Sequence, residues 1–314
     1  MDVGWTLVFA GFVARLADVK NLVLTVLLLG FLGVAPGCMT PSGPVRKNQT
    51  YFQDGQRKLR LDLFYPETAP PPGGYPLIVS LHGGGWIIGN KTRDLFLRPM
   101  TREGYAVASV EYRLSGEAKY PAQIEDVRRA THWLREHAAA LRLNPDRFVA
   151  TGASAGGHLA LLLAFSEGQQ LVPGGSPPLP AGTIKAVCAF YPVVDLEGVV
   201  PEDRRDKPHN LVAALLGAPV TQRLAAARQG SPIRYIRPSS PPVFLIHGDE
   251  DVLVPYEQSV ILANALAQAG VECTFVTYEG AVHGFGPRPK TRGEISRFLA
   301  RHVGGDLPEK STLP

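Results

Sequence analysis

Cysteine is scarce. Only Cys38, Cys188 and Cys273 occur in 314 residues, with no CxxC pair and no Cys/His cluster, which excludes a zinc module and a disulfide scaffold. Runs of basic residues are missing too. Lysine and arginine total 32 against 28 aspartates and glutamates, a net charge of +4. They are scattered, so no nucleic-acid groove is indicated and the mild basicity reads as solvated surface. No uninterrupted apolar stretch reaches the ~20 residues that cross a bilayer, because Arg15, Asp18 and Lys20 break the hydrophobic N-terminal region. What is present is ordinary globular composition, 45% hydrophobic and 19% charged, on a length that suits one large α/β domain or two modest ones.

The first segment has its own logic. Lys20 precedes a run from Asn21 to Val34 that is nearly all Leu, Val, Gly and Phe, and Ala35-Pro36-Gly37-Cys38 follows. A basic residue, an apolar core and small residues before a cysteine resemble a bacterial lipoprotein signal, in which that cysteine becomes the lipidated first residue. The expectation is a signal peptide over 1–37, a lipid on Cys38 and a tether over 38–48, with simple secretion or a retained anchor as alternatives. The chain is then exported, as a membrane-anchored lipoprotein or otherwise as a periplasmic or secreted protein.

The expected fold runs from 49 to 303, with a tail over 304–314. Leu59 to Tyr65 alternates apolar and polar, as a half-exposed strand does. Short apolar runs at 77–81, 105–110, 148–151, 184–190, 243–246 and 274–277 read as further strands, and helical spacing at 121–137, 158–165, 256–269 and 292–302 separates many of them. Such alternation predicts an α/β fold: a doubly wound, mostly parallel sheet flanked by helices. Residues 196–242 break the rhythm with charged and proline-rich pieces around Leu211 to Leu216. They read as a small lid above the carboxyl ends of the strands, where ligands bind in such sheets. Cys188 and Cys273 sit in strand-like runs and read as free thiols, while Asp126 and Arg128, at helical positions, read as solvated.

Chemistry concentrates after the strands. Gly152-Ala153-Ser154-Ala155-Gly156 follows one strand and opens a helix, which places Ser154 on a sharp, strained turn. A serine hydroxyl needs a base to take its proton and an acid to fix the base's tautomer. His82-Gly83-Gly84-Gly85-Trp86 follows an earlier strand and offers side-chain-free N–H groups, either Gly83 with Gly84 or Gly84 with Gly85, which with Ala155 would face a developing oxyanion. Acid and base are expected later, in that order. Asp249, Glu250 and Asp251 all lie in the loop after 243–246, and residue type alone does not choose among them. His283 lies in the loop after the last strand and reads as the base; His82 and His247 read as loop-structuring. Trp86 either lines the pocket or packs over the glycine turn.

Taken together, His-Gly-Gly-Gly-Trp at 82–86, Glu111-Tyr112-Arg113-Leu114, Asn144-Pro145-Asp146-Arg147, Gly-Ala-Ser-Ala-Gly-Gly at 152–157, His-Gly-Asp-Glu-Asp at 247–251 and Val-His-Gly-Phe at 282–285 resemble the α/β-hydrolase superfamily. Within it the chain resembles the esterases related to hormone-sensitive lipase and to feruloyl and acetyl-xylan esterases, over about 51–302. The resemblance implies Asp251 as the acid, with Asp249 as fallback, and Glu111, Tyr112 and Arg113 as residues that orient loops near the site. It implies a serine carboxylesterase acting through an acyl-enzyme on small esters, such as acetyl or feruloyl groups on polysaccharide. No metal and no organic cofactor is needed, and the partners expected are that ester substrate and, through the N-terminal lipid, a membrane. A peptidase or amidase of the same fold, or a catalytically silent binding scaffold, are the alternative readings.

Overall fold

Strands form at Val45–Asp54 (β1), Arg57–Phe64 (β2), Tyr75–Leu81 (β3), Ala106–Val110 (β4), Leu143–Ala153 (β5), Ile184–Phe190 (β6), Val243–Gly248 (β7) and Cys273–Tyr278 (β8). The computed structural model describes residues 43–201, 205 and 210–304; the expected signal peptide, Cys38, His209 and all but the first residue of the tail lie outside the described residues. The strands make one 8-stranded sheet in the order β1-β2-β4-β3-β5-β6-β7-β8. β1, β2 and β4 pair antiparallel, and every pairing from β4 to β8 is parallel. The apolar runs that lack alternation, β3 and β4, are buried along their whole length, as strands covered on both faces should be.

Among the described residues α-helices form at Ala122–Glu136 (α1), Ala155–Phe165 (α2), Leu211–Leu216 (α3), Leu224–Gln229 (α4), Glu257–Gln268 (α5) and Pro289–Val303 (α6). α2 is apolar all round and every one of its residues is buried, which a helix of that composition requires. One core cluster joins α1, α2, α5 and the lid segment to the sheet, and a second joins α6 and the turn at Arg98–Glu103 to the opposite face. The expected doubly wound α/β architecture is therefore the one the chain adopts.

Three expectations are corrected. The tether does not extend to 48, because Val45 and Arg46 already pair with Phe64 and Leu63. An edge strand is half solvated, so its outward charges (Arg46, Lys47) leave no apolar alternation to read. β2 is half-exposed only at its start and buried from Leu61 to Phe64, since Leu61 and Leu63 join the core on one face while Lys91 and Arg98 cover Asp62 and Phe64 on the other. Asp126 and Arg128 are both fully buried. Asp126 accepts a bidentate pair from Arg113 Nε and Nη2, both at 2.8 Å, and a third bond from the Arg113 backbone N–H at 3.0 Å. Arg128 Nη2 donates to Ser166 Oγ at 2.8 Å and to the Gln169 carbonyl at 3.0 Å. Polar partners, invisible to periodicity, compensate the buried Asp126 charge, whereas Arg128 is bonded through Nη2 alone, with Nε and Nη1 buried and without a hydrogen bond among the described residues. The cysteines behave as free thiols: Cys188 on β6 and Cys273 on β8 are unpaired, with β7 between them.

Parallel register decides where chemistry can occur. Leu81 pairs with Gly152, Gly152 with Ala189, Phe190 with Ile246 and Gly248 with Tyr278. The loops after β3, β5, β6, β7 and β8 thus emerge at one edge of the sheet, side by side.

Candidate active site

Ser154 occupies the point where β5 becomes α2. Its backbone is left-handed and strained, φ 53° and ψ −119°, a conformation that non-glycine residues rarely hold and that marks functional turns. Its flanking glycines are there for close approach. A Cβ on Gly152 would overlap the backbone of Gly156, and one on Gly156 would overlap the Leu81 carbonyl. The strand, the helix and the neighbouring strand can therefore pack only around hydrogen atoms. Ala155 is the first residue of α2, so its N–H belongs to the helix's unpaired first turn, at the end where negative charge is favoured.

The loop after β3 presents the other donors, and three successive peptide planes explain how. The His82 carbonyl accepts from Tyr112 Oη at 2.7 Å, while the N–H of the same plane, on Gly83, donates to Asp94 Oδ2 at 2.7 Å. The Gly83 carbonyl is held at 2.8 Å by His82 Nδ1. In a trans peptide C=O and N–H point opposite ways, so the Gly84 N–H is turned away from His82. The Gly84 carbonyl accepts from Ile87 and Ile88 N–H, both at 3.1 Å, which turns the Gly85 N–H outward in the same manner. Glycine is required for this path, because φ is 106° at Gly84 and 59° at Gly85. Among the described residues neither of those two N–H groups has a protein acceptor. Gly83, one of the expected donors, is otherwise occupied, so the choice between glycine pairs falls on Gly84 with Gly85.

His82 itself is buried and stacked on Tyr112 at 4.2 Å. Burial lowers its pKa, against the opposing bond to the Gly83 carbonyl, so a neutral imidazole carrying its proton on Nδ1 serves the loop. Trp86 is 1% exposed and meets the His158 ring edge-on at 5.1 Å; it packs beneath the glycine turn and offers no surface to a pocket. Glu111 pairs with Arg57 at 3.1 Å, and Arg113 with Asp126, so the segment 111–113 is held beside the loop by ion pairs and by the Tyr112 hydroxyl.

Asp251 and His283 meet across the loops after β7 and β8. His283 Nδ1 lies 2.6 Å from Asp251 Oδ2. The other oxygen, Oδ1, accepts the N–H groups of Leu253 and Val254, both at 2.9 Å. Burial would raise the Asp251 pKa, but hydrogen bonds from His247 and His283, the charge interaction with His283 and the Val254 N–H together hold it well below the usual carboxylate range. Asp249 and Glu250 are exposed; Asp249 holds the Gly280 N–H at 2.7 Å and shapes its loop.

Sequence reasoning missed several contributors. His247 is fully buried, with Nε2 at 2.9 Å from the Val254 carbonyl and 3.2 Å from Asp251 Oδ2, and Nδ1 at 2.6 Å from Ser259 Oγ. It braces the carboxylate as well as its own loop. Tyr191, directly after β6 with φ 37°, packs its ring on His283 at 4.6 Å and donates its hydroxyl to the Phe285 carbonyl at 3.0 Å. The residue before it, Phe190, accepts the Ser154 N–H at 2.9 Å. The elbow and the His283 loop therefore lean on the two faces of one short connection. A tyrosine at the carboxyl end of a central strand was the available signal. Ser154 Oγ makes no hydrogen bond among the described residues.

The lid segment reaches the same place. A Cβ built on Gly85 would lie 3.0 Å from both Cδ atoms of Leu211, so α3 covers the glycine turn with its first residue. Asn210 Oδ1 caps that helix through the Ala213 N–H at 2.7 Å. Its far end is pinned by the Tyr120 N–H on the Leu215 carbonyl at 2.9 Å. Among the described residues no group of His, Cys, Asp or Glu side chains is arranged to hold a metal ion.

Comparison with known proteins gives a consistent picture. A family model described as BD-FAE matches residues 61–266. Esterase LipQ of Mycobacterium tuberculosis is 29% identical over 278 residues, covering 84% of this chain and 64% of LipQ, so the chain spans less than two thirds of that relative. Carboxylesterase NlhH of the same organism is 28% identical over 251 residues, 76% of this chain and 75% of NlhH. Among solved structures, a truncated carbohydrate esterase from gut microbiota superposes with a TM-score of 0.73 at 26% identity, over 84% of this chain and 98% of that one. A thermophilic esterase from the planctomycete Thermogutta terrifontis superposes with a TM-score of 0.67 at 28% identity, over 87% and 96%.

Proposed function

The chain belongs to the BD-FAE family, among the esterases of the α/β-hydrolase fold; from that membership we propose that it is a serine carboxylesterase, and from the signal-like residues 1–38 that it is exported. The observation that carries the proposal is the 2.6 Å contact of His283 Nδ1 with Asp251 Oδ2, beside a strained serine elbow. Asp251 keeps the proton on Nδ1 and leaves the Nε2 lone pair to act as base. Ser154 Oγ attacks the ester carbonyl as His283 takes its proton, and the carbonyl oxygen gains negative charge. The N–H groups of Gly84, Gly85 and Ala155 hold that charge, each such donor being worth about 2.7–4 kcal/mol in the transition state. Collapse expels the alcohol, which receives the proton from His283 and leaves the acyl group on Ser154. Water, deprotonated by His283, then attacks the acyl-enzyme; the acid departs and Ser154 recovers its proton.

A small acyl group is the substrate class that the lid favours, because Leu211 closes over Gly85 and limits the room above the oxyanion donors. Acetyl esters on polysaccharide are therefore the proposed natural substrates, and feruloyl esters, whose acyl group is much bulkier, are the second reading that the same substrate panel decides. The support is the similarity to an enzyme described as a carbohydrate esterase and the export proposed from residues 1–38. The proposed catalytic unit spans 45–303, from the first strand to the end of the last helix. Turnover of p-nitrophenyl acetate, methyl ferulate and acetylated xylan by the full chain and by Ser154→Ala tests the reading. Hydrolysis by the parent and its loss in Ser154→Ala support it; equal rates sink it. A lipid-bearing N-terminal peptide beginning at Cys38 tests the export route, and an intact Met1 on the mature protein contradicts it.

A further inference from the structure

Gly83 N–H differs from its two neighbours in being spoken for. Its acceptor, Asp94 Oδ2, lies 11 residues along the chain, at the far end of the same loop. That loop has little regular structure and several left-handed residues, with φ 106° at Gly84, 59° at Gly85, 61° at Trp86 and 114° at Gly89. Backbone of this kind has no ladder to hold it and needs cross-ties. His82 and Tyr112 supply two of them on one side of the peptide planes. On the other side stands Asp94, whose own φ of 52° is also left-handed and turns its carboxylate back toward Gly83.

The residues after Asp94 are anchored to the strand ends and loops around the elbow. Phe96 N–H bonds to the Asp94 carbonyl at 2.8 Å, and the Phe96 ring packs on Phe190 at 5.1 Å, at the strand end that carries the Ser154 elbow. Phe96 also faces Gly286, in the loop that follows His283. Asp94 therefore ties the glycine turn to the part of the molecule that places the nucleophile and the base. A charged acceptor on a backbone N–H makes a shorter and stronger bond than a neutral one.

We propose that Asp94 is a positioning residue for the oxyanion donors: by holding the Gly83 N–H it fixes the peptide plane from which the Gly84 and Gly85 N–H groups are turned toward Ser154. The proposal rests on the esterase reading above. In this role Asp94 acts through Gly83.

The test separates the hydrogen bond from the left-handed backbone. Glycine and asparagine both accept a left-handed φ, but only asparagine retains an oxygen for the Gly83 N–H. Asp94→Gly is expected to lower kcat on p-nitrophenyl acetate by at least about tenfold with KM within about twofold, because donors misaligned by a fraction of an ångström lose transition-state rather than ground-state binding. Asp94→Asn is expected to recover kcat to within about threefold of the parent. Inhibition by an aryl trifluoromethyl ketone, which forms a tetrahedral adduct with a charged oxygen, should weaken in proportion to kcat/KM. Asp94→Ala, which also lacks the acceptor, is measured alongside, and thermal melting reports which variants are folded. A folded Asp94→Gly or Asp94→Ala protein with parental kcat overturns the proposal, as does an asparagine variant as slow as glycine. A parent chain that hydrolyses no ester overturns the esterase reading and the proposal with it, so the two failures are distinguishable.

Discussion

Replacing Asp251 by asparagine is the perturbation whose outcome follows most fully from the geometry. The two carboxylate oxygens do separate jobs. Oδ1 accepts the Leu253 and Val254 N–H groups at 2.9 Å, and Oδ2 faces His283 Nδ1 at 2.6 Å and His247 Nε2 at 3.2 Å. An asparagine can keep its oxygen on the two backbone donors, so the loop after β7 retains its shape. Its NH₂ group then stands where Oδ2 was and donates toward His283. The imidazole answers by presenting a lone pair on Nδ1 and carrying its proton on Nε2, where it cannot accept one from Ser154. The same exchange in a serine protease triad lowers kcat about 10⁴-fold, which is about 5.5 kcal/mol of barrier. We expect a loss of that order on p-nitrophenyl acetate, with little change in KM and a preserved cooperative thermal transition. Asp249→Asn is the control: that side chain is exposed, its oxygen can still hold the Gly280 N–H, and its kcat should fall less than about tenfold. An Asp251→Asn protein within tenfold of the parent, or an Asp249→Asn protein slower than it, would refute the assignment of the acid.

Leu211→Ala should widen the space above Gly85. With each added methylene worth about 0.8 kcal/mol of burial, the kcat/KM ratio of p-nitrophenyl butyrate to acetate should rise about tenfold; an unchanged ratio would remove Leu211 from the acyl site. His158 is fully buried, its Nε2 is 2.7 Å from the Gly230 carbonyl, and burial pushes its pKa from 6.5 down to about 4. The folded state thus binds fewer protons here than the unfolded chain, so its contribution is intact above pH 6.5 and is lost as pH falls toward 4. The loss should amount to about 3 kcal/mol across that window. Urea unfolding of the parent and of His158→Gln at pH 7 and pH 4.5 checks this: the variant should show the shallower pH dependence, and identical slopes would contradict it.

The parallel strands and the elbow were legible because their apolar runs and turn residues are local signals. β6, at Ile184–Phe190, matches its apolar run from end to end. The gathering of Ser154, Asp251 and His283 at one end of the sheet was legible because each residue follows a different strand, and the sheet sets those strand ends in register. β1 escaped because an edge strand has one solvated side and tolerates Arg46 and Lys47 without alternation. The burial of Asp126 and Arg128 escaped because their partners, Arg113 and Ser166, come from other segments of the chain. Asp94 and Leu211 escaped for the same reason: each matters through a contact with the glycine turn that only the folded loop creates.

The central claim is that Ser154 carries the acyl group between the two half-reactions. Mass spectrometry of the full chain, quenched in acid during turnover of p-nitrophenyl acetate, addresses it directly. We expect an acetyl adduct on the peptide bearing Ser154, enriched in His283→Ala if water attack is slowed more than acylation, and no adduct in Ser154→Ala. Turnover without any adduct at Ser154, or an unchanged rate in Ser154→Ala, would contradict the account.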